Sequence, residues 1–138
     1  MPPSARPVGR LAGKRVFVVE DNYFIRRWIE ECLRAEGAVI ASLLTRGLDV
    51  GVLDVRLNDG VTSVPMALTL AARGVPFLFY TGHSADVTEP LWSRFKGCQI
   101  LAKPASAEDL VVAVVAAMAW SPRTSLRDEL KRPVGKIS

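Results

Sequence analysis

At 138 residues, 49% of them apolar, the chain is long enough for one well-packed domain and short for two. Its net charge of +4 comes from 18 basic and 14 acidic residues that are scattered rather than striped along one face, which argues against direct nucleic-acid binding. No stretch approaches the roughly 20 apolar residues of a membrane span and no signal-type apolar region stands at the N-terminus, so a cytoplasmic protein with no membrane contact is expected.

Residues 1–13 are polar and Pro-bearing and read as a flexible extension. The first strand is expected at "RVFVVE" (15–20). A helix follows Asp21, because Ile25, Trp28, Ile29, Cys32 and Leu33 recur at three- and four-residue spacing and Gly37 is a suitable terminator. Further strands are expected at "AVIASLL" (38–44), "DVGVLD" (49–54), "PFLFYT" (76–81) and "QILAK" (99–103). Helices are expected from Pro65 through Leu68 and Ala72 to Gly74, over Leu91 to Phe95, and from Ser106 to Trp120 with Glu108 and Asp109 in the first turn. Residues 14–120 would then form the domain and 121–138 a basic, polar tail. Cys32 and Cys98 make neither a disulfide framework nor a metal pair and read as reduced packing thiols.

Near-continuous Val, Ile, Leu and Phe in the strands means burial on both faces, so the pattern is α/β with a five-stranded, doubly wound parallel sheet. One spacing conflicts with it. Only "TRGL" separates Leu44 from Asp49, whereas a parallel crossover takes about 12 residues or more. Either a helix has dropped out with the numbering closed over it, or it is deleted, or residues 38–44 are not a parallel strand.

The polar residues cluster at strand ends: Glu20 and Asp21, then Asp54, Thr81, and Lys103 before Pro104. In an open parallel sheet these ends share one crevice. A lone strand-end aspartate is more often a helix cap; the five residues together carry a functional reading. Clustered carboxylates stay ionised most easily around a cation, and Mg²⁺ takes one or two carboxylates, waters and a phosphate. Lys103 and Thr81 supply a compact charge and a hydroxyl suited to phosphoryl oxygens. The constellation reads as a phosphoryl-transfer site with Asp54 as nucleophile.

The motifs "VFVVED", "VLDVRLNDG", "FLFYTG" and "ILAKP", in that order over residues 14–119, resemble those of a response-regulator receiver domain. The resemblance implies a flavodoxin-like sheet of order 2-1-3-4-5, with the second helix short or missing here. It implies that Asp54 accepts phosphate from a histidine kinase or histidine phosphotransfer protein. Asp21 with Glu20 and Asp54 would hold Mg²⁺, completed by the backbone carbonyl of Arg56, and Thr81, Gly82 and Lys103 would contact or respond to the phosphoryl group. "GVPFLFYTGHS" is similar to the alphaproteobacterial receivers, many stand-alone, whose fourth strand reads Pro-Phe-x-Phe-Ala-Thr-Gly-Tyr. Tyr80 replaces the small residue of that motif, His83 its tyrosine, and Ile100 stands where receivers carry an aromatic switch residue. Gly82 is expected to leave room for close backbone approach.

His83 is read as a loop residue near the phosphate rather than a base. "VVAVVAAMAW" (111–120) is apolar nearly all round, so Val111, Val115 and Met118 are candidates for a partner or homodimer surface. Trp28 reads as core, on the helix where the resemblance places kinase contacts; Arg26, Arg27 and Glu30 beside it read as solvated. Two further readings stand beside the phosphorylatable receiver: an unphosphorylated pseudo-receiver acting as an interaction module, and a metal-dependent phosphohydrolase, which would want a carboxylate where Arg56 stands.

Overall fold

The apolar runs become strands of a single sheet because each has side chains to bury on both sides. The computed structural model describes residues 9–55, 62–82 and 93–122. In chain order the elements are β1 (Arg15–Val19), α1 (Tyr23–Ala35), β2 (Val39–Ile40), β3 (Val50–Leu53), α2 (Val64–Ala72), β4 (Phe77–Thr81), β5 (Gln99–Ala102) and α3 (Ala107–Ala117). The strands pair in parallel in the order β2-β1-β3-β4-β5, the expected order.

Side-chain alternation divides the core in two. Val16, Val50, Val52, Leu78 and Tyr80 pack with Ile29 and Leu33 of α1 and Leu110 and Val114 of α3. Leu53, Phe77 and Phe79 pack on the other face with Ala67, Leu70 and Ala71 of α2, joined by Phe95. Pairing Val19 with Leu53 and Thr81 with Ala102 brings the carboxyl ends of β1 and β3, and of β4 and β5, level with each other.

The helices carry their own boundaries. Asn22 caps α1, its Oδ1 accepting from the Ile25 N–H at 3.0 Å. At the other end Gly37, at φ +90°, donates to Arg34 O at 2.9 Å while Ala38 N–H reaches Leu33 O at 3.1 Å, closing a Schellman turn. Ser106 caps α3 through the Asp109 N–H at 3.0 Å. Pro65 sits in the first turn of α2.

Two expectations need correction. The strand expected over 38–44 is only two residues long, and residues 41–49 run unbroken to β3 without a helix. The geometry explains how so short a link suffices: Ile40 and Val50 both stand level with Val16, one on each side of β1. Because β2 never climbs to the far end of the sheet, no long return is needed. The loop covers the sheet in place of a helix, with Ala41, Leu43 and Leu48 packed on the α2-side core. Arg73 donates to Leu43 O and Thr45 O at 2.5 and 2.7 Å, which ties the loop to the end of α2.

The second correction concerns the N-terminal extension. Residues 9–13 are folded: Leu11 is fully buried and its N–H meets Glu36 O at 3.0 Å. Arg10 links the end of α1 to the start of α3, reaching Glu36 at 3.2 Å and Glu108 at 2.8 Å. Its guanidinium holds both carboxyls below the usual carboxylate range. Of the helix expected over 91–95, Ser93 and Arg94 are helical, while 91 and 92 fall outside the described residues.

Candidate functional site

The sheet ends at Val19, Leu53, Thr81 and Ala102, so the next residues of β1, β3 and β5 emerge side by side. Asp54 is anchored by its N–H to Val19 O at 2.9 Å, and Lys103 by its N–H to Thr81 O at 2.9 Å. These two backbone bonds place a carboxylate and an ammonium, 49 residues apart in sequence, within 3.1 Å of each other.

Lys103 Nζ bridges two acids, donating to Glu20 Oε1 at 2.5 Å and to Asp54 Oδ2 at 3.1 Å. All three groups are withdrawn from water, with side-chain exposures of 17% for Lys103, 3% for Glu20 and 11% for Asp54. Glu20 is turned inward partly because its Oε2 accepts the Asn22 N–H at 3.1 Å. Asp54 Oδ1 is buried without a hydrogen-bond partner among the described residues. Burial pulls the Lys103 ammonium down, but its bonds to Glu20 and Asp54 outweigh that and leave it above its ordinary value.

The sign of that shift fixes a pH window. A raised lysine contributes stability fully below its unfolded value of about 10.4 and loses it as pH rises through the higher folded value. The difference in melting temperature between wild type and Lys103→Met is therefore expected to stay constant from about pH 7 to about pH 10 and to narrow above that. A gap that stays unchanged as pH rises above about 10 would contradict the bridge.

Of the residues expected at the site, Glu20, Asp54, Thr81 and Lys103 gather at the strand ends, with Thr81 2% exposed. Asp21 stands exposed, so it is Glu20 that meets Asp54 across the ammonium. Arg56 and His83 lie outside the described residues. Gly82 is exposed, and among the described residues a Cβ on it would meet Lys103 Cβ at 3.8 Å, an ordinary contact. Val111 is 3% exposed and belongs to the core rather than to a partner surface. Val115 is exposed, and Val112 rather than Val111 shares its outer face. Trp28 and Met118 pack against the core.

The donors suit a hard cation: Glu20 and Asp54 present oxygen atoms, and the unpartnered Asp54 Oδ1 leaves a buried oxygen with ligand capacity. Among the described residues, no three His, Cys, Asp or Glu side chains form a metal-holding group by themselves. Mg²⁺ takes few protein carboxylates and fills its octahedron with water and phosphate.

Tyr80 was noticed in the sequence only as a departure from a motif. In the fold it lies 4% exposed beside the site, its ring centroid 5.5 Å from Lys103 Nζ. Both cysteines are free, and burial pushes the Cys98 thiol up to about 12, consistent with a packing role. Among the described residues no helix is long and apolar enough to cross a membrane.

Searches against family models and curated proteins return no match. Solved structures do match. SdrG from Sphingomonas melonis Fr1 is 32% identical, over 78% of this chain and 98% of its own, with a TM-score of 0.61. The receiver domain of a sensor histidine kinase from Pseudomonas aeruginosa PAO1, with magnesium coordinated in its active-site cleft, is 22% identical over 79% of this chain and all of its own, with a TM-score of 0.65. A response regulator from Burkholderia pseudomallei, with a phosphorylated aspartic acid, calcium and citrate, is 17% identical over 88% of this chain and 76% of its own, with a TM-score of 0.64.

Proposed function

We infer that this chain, which has the fold of response-regulator receiver domains, is a phosphorylatable receiver of two-component signalling that works in the cytoplasm. Its phosphoryl donor is a histidine kinase or a histidine phosphotransfer protein, and its output passes through protein contacts. The observation that carries this reading is the Lys103 bridge: one buried ammonium touching Glu20 and Asp54 at the strand ends, beside an Asp54 oxygen with no partner.

In the proposed reaction a carboxylate oxygen of Asp54 forms a bond to phosphorus as the bond from phosphorus to the donor breaks. The electron pair of that bond leaves with the donor, an imidazole or, with a small-molecule donor, acetate. The product is an acyl phosphate on Asp54. Lys103 supplies positive charge to the phosphoryl oxygens and Thr81 a hydroxyl, so rate comes from positioning and charge neutralisation rather than from acid-base groups. Glu20, Asp54 and the Arg56 carbonyl, with Asp21 at the mouth, would hold Mg²⁺. Bound there, the ion would neutralise the oxygens that gather negative charge during transfer.

The pseudo-receiver reading rests on one observation of its own: both acids are already ion-paired with Lys103, which offsets one of their two charges. A homodimer through α3 belongs to the same proposal and would use the Val112–Val115 face.

Acetyl phosphate with Mg²⁺ separates these readings. The receiver is expected to gain the mass of one phosphoryl group in a linkage sensitive to hydroxylamine, with Mg²⁺ required. No gain supports the interaction module. Sustained release of phosphate from many esters supports a hydrolase.

A further inference from the structure

Lys103 has two kinds of partner, and the proposed reaction consumes only one. Its carboxylate partners change during phosphoryl transfer: on Asp54 the negative charge moves from the carboxylate out to the phosphoryl oxygens, and Glu20 is wanted by the cation. The Tyr80 ring does not change. It stands 5.5 Å from Lys103 Nζ, is buried, and is backed by the Trp28 ring at 6.2 Å. A buried aromatic face attracts an ammonium through its quadrupole, whatever happens to neighbouring acids.

The same residue fixes the chain that carries Lys103. The Tyr80 hydroxyl accepts the Ala105 N–H at 3.2 Å, two residues beyond Lys103, while the Lys103 N–H is held by Thr81 O at 2.9 Å. Between these ties the segment Lys103-Pro104-Ala105 borders an open apolar cleft of about 290 Å³, whose other walls are Phe24, Ile25, Trp28 and Tyr80. A lysine stem beside so much free space has other rotamers available. Something must select one.

We propose that Tyr80 is the positioning residue for Lys103: its ring holds the ammonium over the site and its hydroxyl pins the loop that follows β5, so that Lys103 is aimed at the phosphoryl group while its contacts with Asp54 and Glu20 rearrange. The proposal rests on the receiver reading for its consequence in phosphoryl transfer, but not for the geometry itself.

The test compares the full-length wild type with Tyr80→Phe and Tyr80→Leu. In the wild type the Lys103 Hε protons should be shifted upfield by the ring, and the Ala105 amide should be protected from hydrogen exchange. Tyr80→Phe keeps the Lys103 shift but exposes the Ala105 amide, with exchange about fivefold faster for one lost hydrogen bond. Tyr80→Leu loses both. Its maximal rate of phosphoryl uptake from acetyl phosphate falls about ten- to a hundredfold, while the half-saturating concentration stays nearly constant, because positioning and not donor binding is damaged. An unshifted Lys103 in the wild type, an unchanged Lys103 signal in Tyr80→Leu, or unchanged Ala105 exchange in Tyr80→Phe overturns the proposal. If Tyr80→Leu does not fold, the Tyr80→Phe exchange measurement decides alone. If the wild type takes up no phosphate, the receiver reading fails, while both spectroscopic readouts still decide the positioning.

Discussion

Phe77→Ala is expected to remove about 3–5 kcal/mol of folding stability, the range for deleting a buried aromatic ring. Phe77 is fully buried at the centre of an aromatic group on the α2 side of the sheet. Its ring meets Phe79, Phe95 and Trp120 edge-on, with centroids 5.6, 5.2 and 5.1 Å away. Edge-to-face pairs add to plain area burial, and here one ring serves three of them. The neighbours cannot collapse into the gap. Phe77 is paired in register with Gly51, and Trp120 is held by its own bond from Nε1 to Lys96 O at 2.7 Å. A domain of this size has a net stability of about 5–15 kcal/mol, so the loss could take most of it. Urea unfolding followed by tryptophan fluorescence measures the effect, with Val115→Ala on the exposed face of α3 as a control expected within about 0.5 kcal/mol of wild type. A cost below about 1 kcal/mol would mean that the rings are not packed as described.

What the sequence disclosed depended on whether a feature was local. α1 was legible because its apolar spacing, its start after Asp21 and its stop at Gly37 are all written in one short stretch, and the observed Asn22 cap and the Schellman turn at Gly37 stand at those two ends. β3 and β4 were legible because every residue in them is buried. The 38–44 run was misleading because its apolar residues do different jobs: Leu43 packs on the core while its neighbour Leu44 is 91% exposed. Chain-length arithmetic detected the conflict, but only the register of β2 against the start of β1 resolves it. Leu11 was missed because its burial depends on Glu36, 25 positions away.

The site shows the same division. Residue types at strand ends located Glu20, Asp54, Thr81 and Lys103. Which of the adjacent acids Glu20 and Asp21 turns inward was not readable, since the sheet has ended by then and the Asn22 N–H helps to set the direction. Strand parity puts Tyr80 on the α1 side, yet nothing in the sequence reveals that its hydroxyl meets a loop N–H 25 residues later.

Asp54→Asn is expected to abolish phosphoryl uptake from acetyl phosphate while leaving the fold intact. The asparagine keeps the shape of the aspartate but replaces an anionic oxygen nucleophile with a neutral amide, and no acyl phosphate can form on it. The fold should tolerate the change because the backbone anchor, Asp54 N–H to Val19 O, does not involve the side chain. Lys103 also keeps its shorter bond to Glu20. Removing a negative charge that is 11% exposed relieves its desolvation while losing one of the two ion pairs at Lys103, so these effects oppose each other and the melting temperature should move little. Intact-mass measurement after incubation with acetyl phosphate and Mg²⁺ reads the result directly. Undiminished labelling of the variant would shift the acceptor to another carboxylate, with Glu20 the nearest on the Lys103 ammonium. Such a result would refute Asp54 as nucleophile without disturbing the fold. Because wild type and variant share every backbone contact described for the site, a difference in labelling between them isolates one carboxylate oxygen as the chemistry of this crevice.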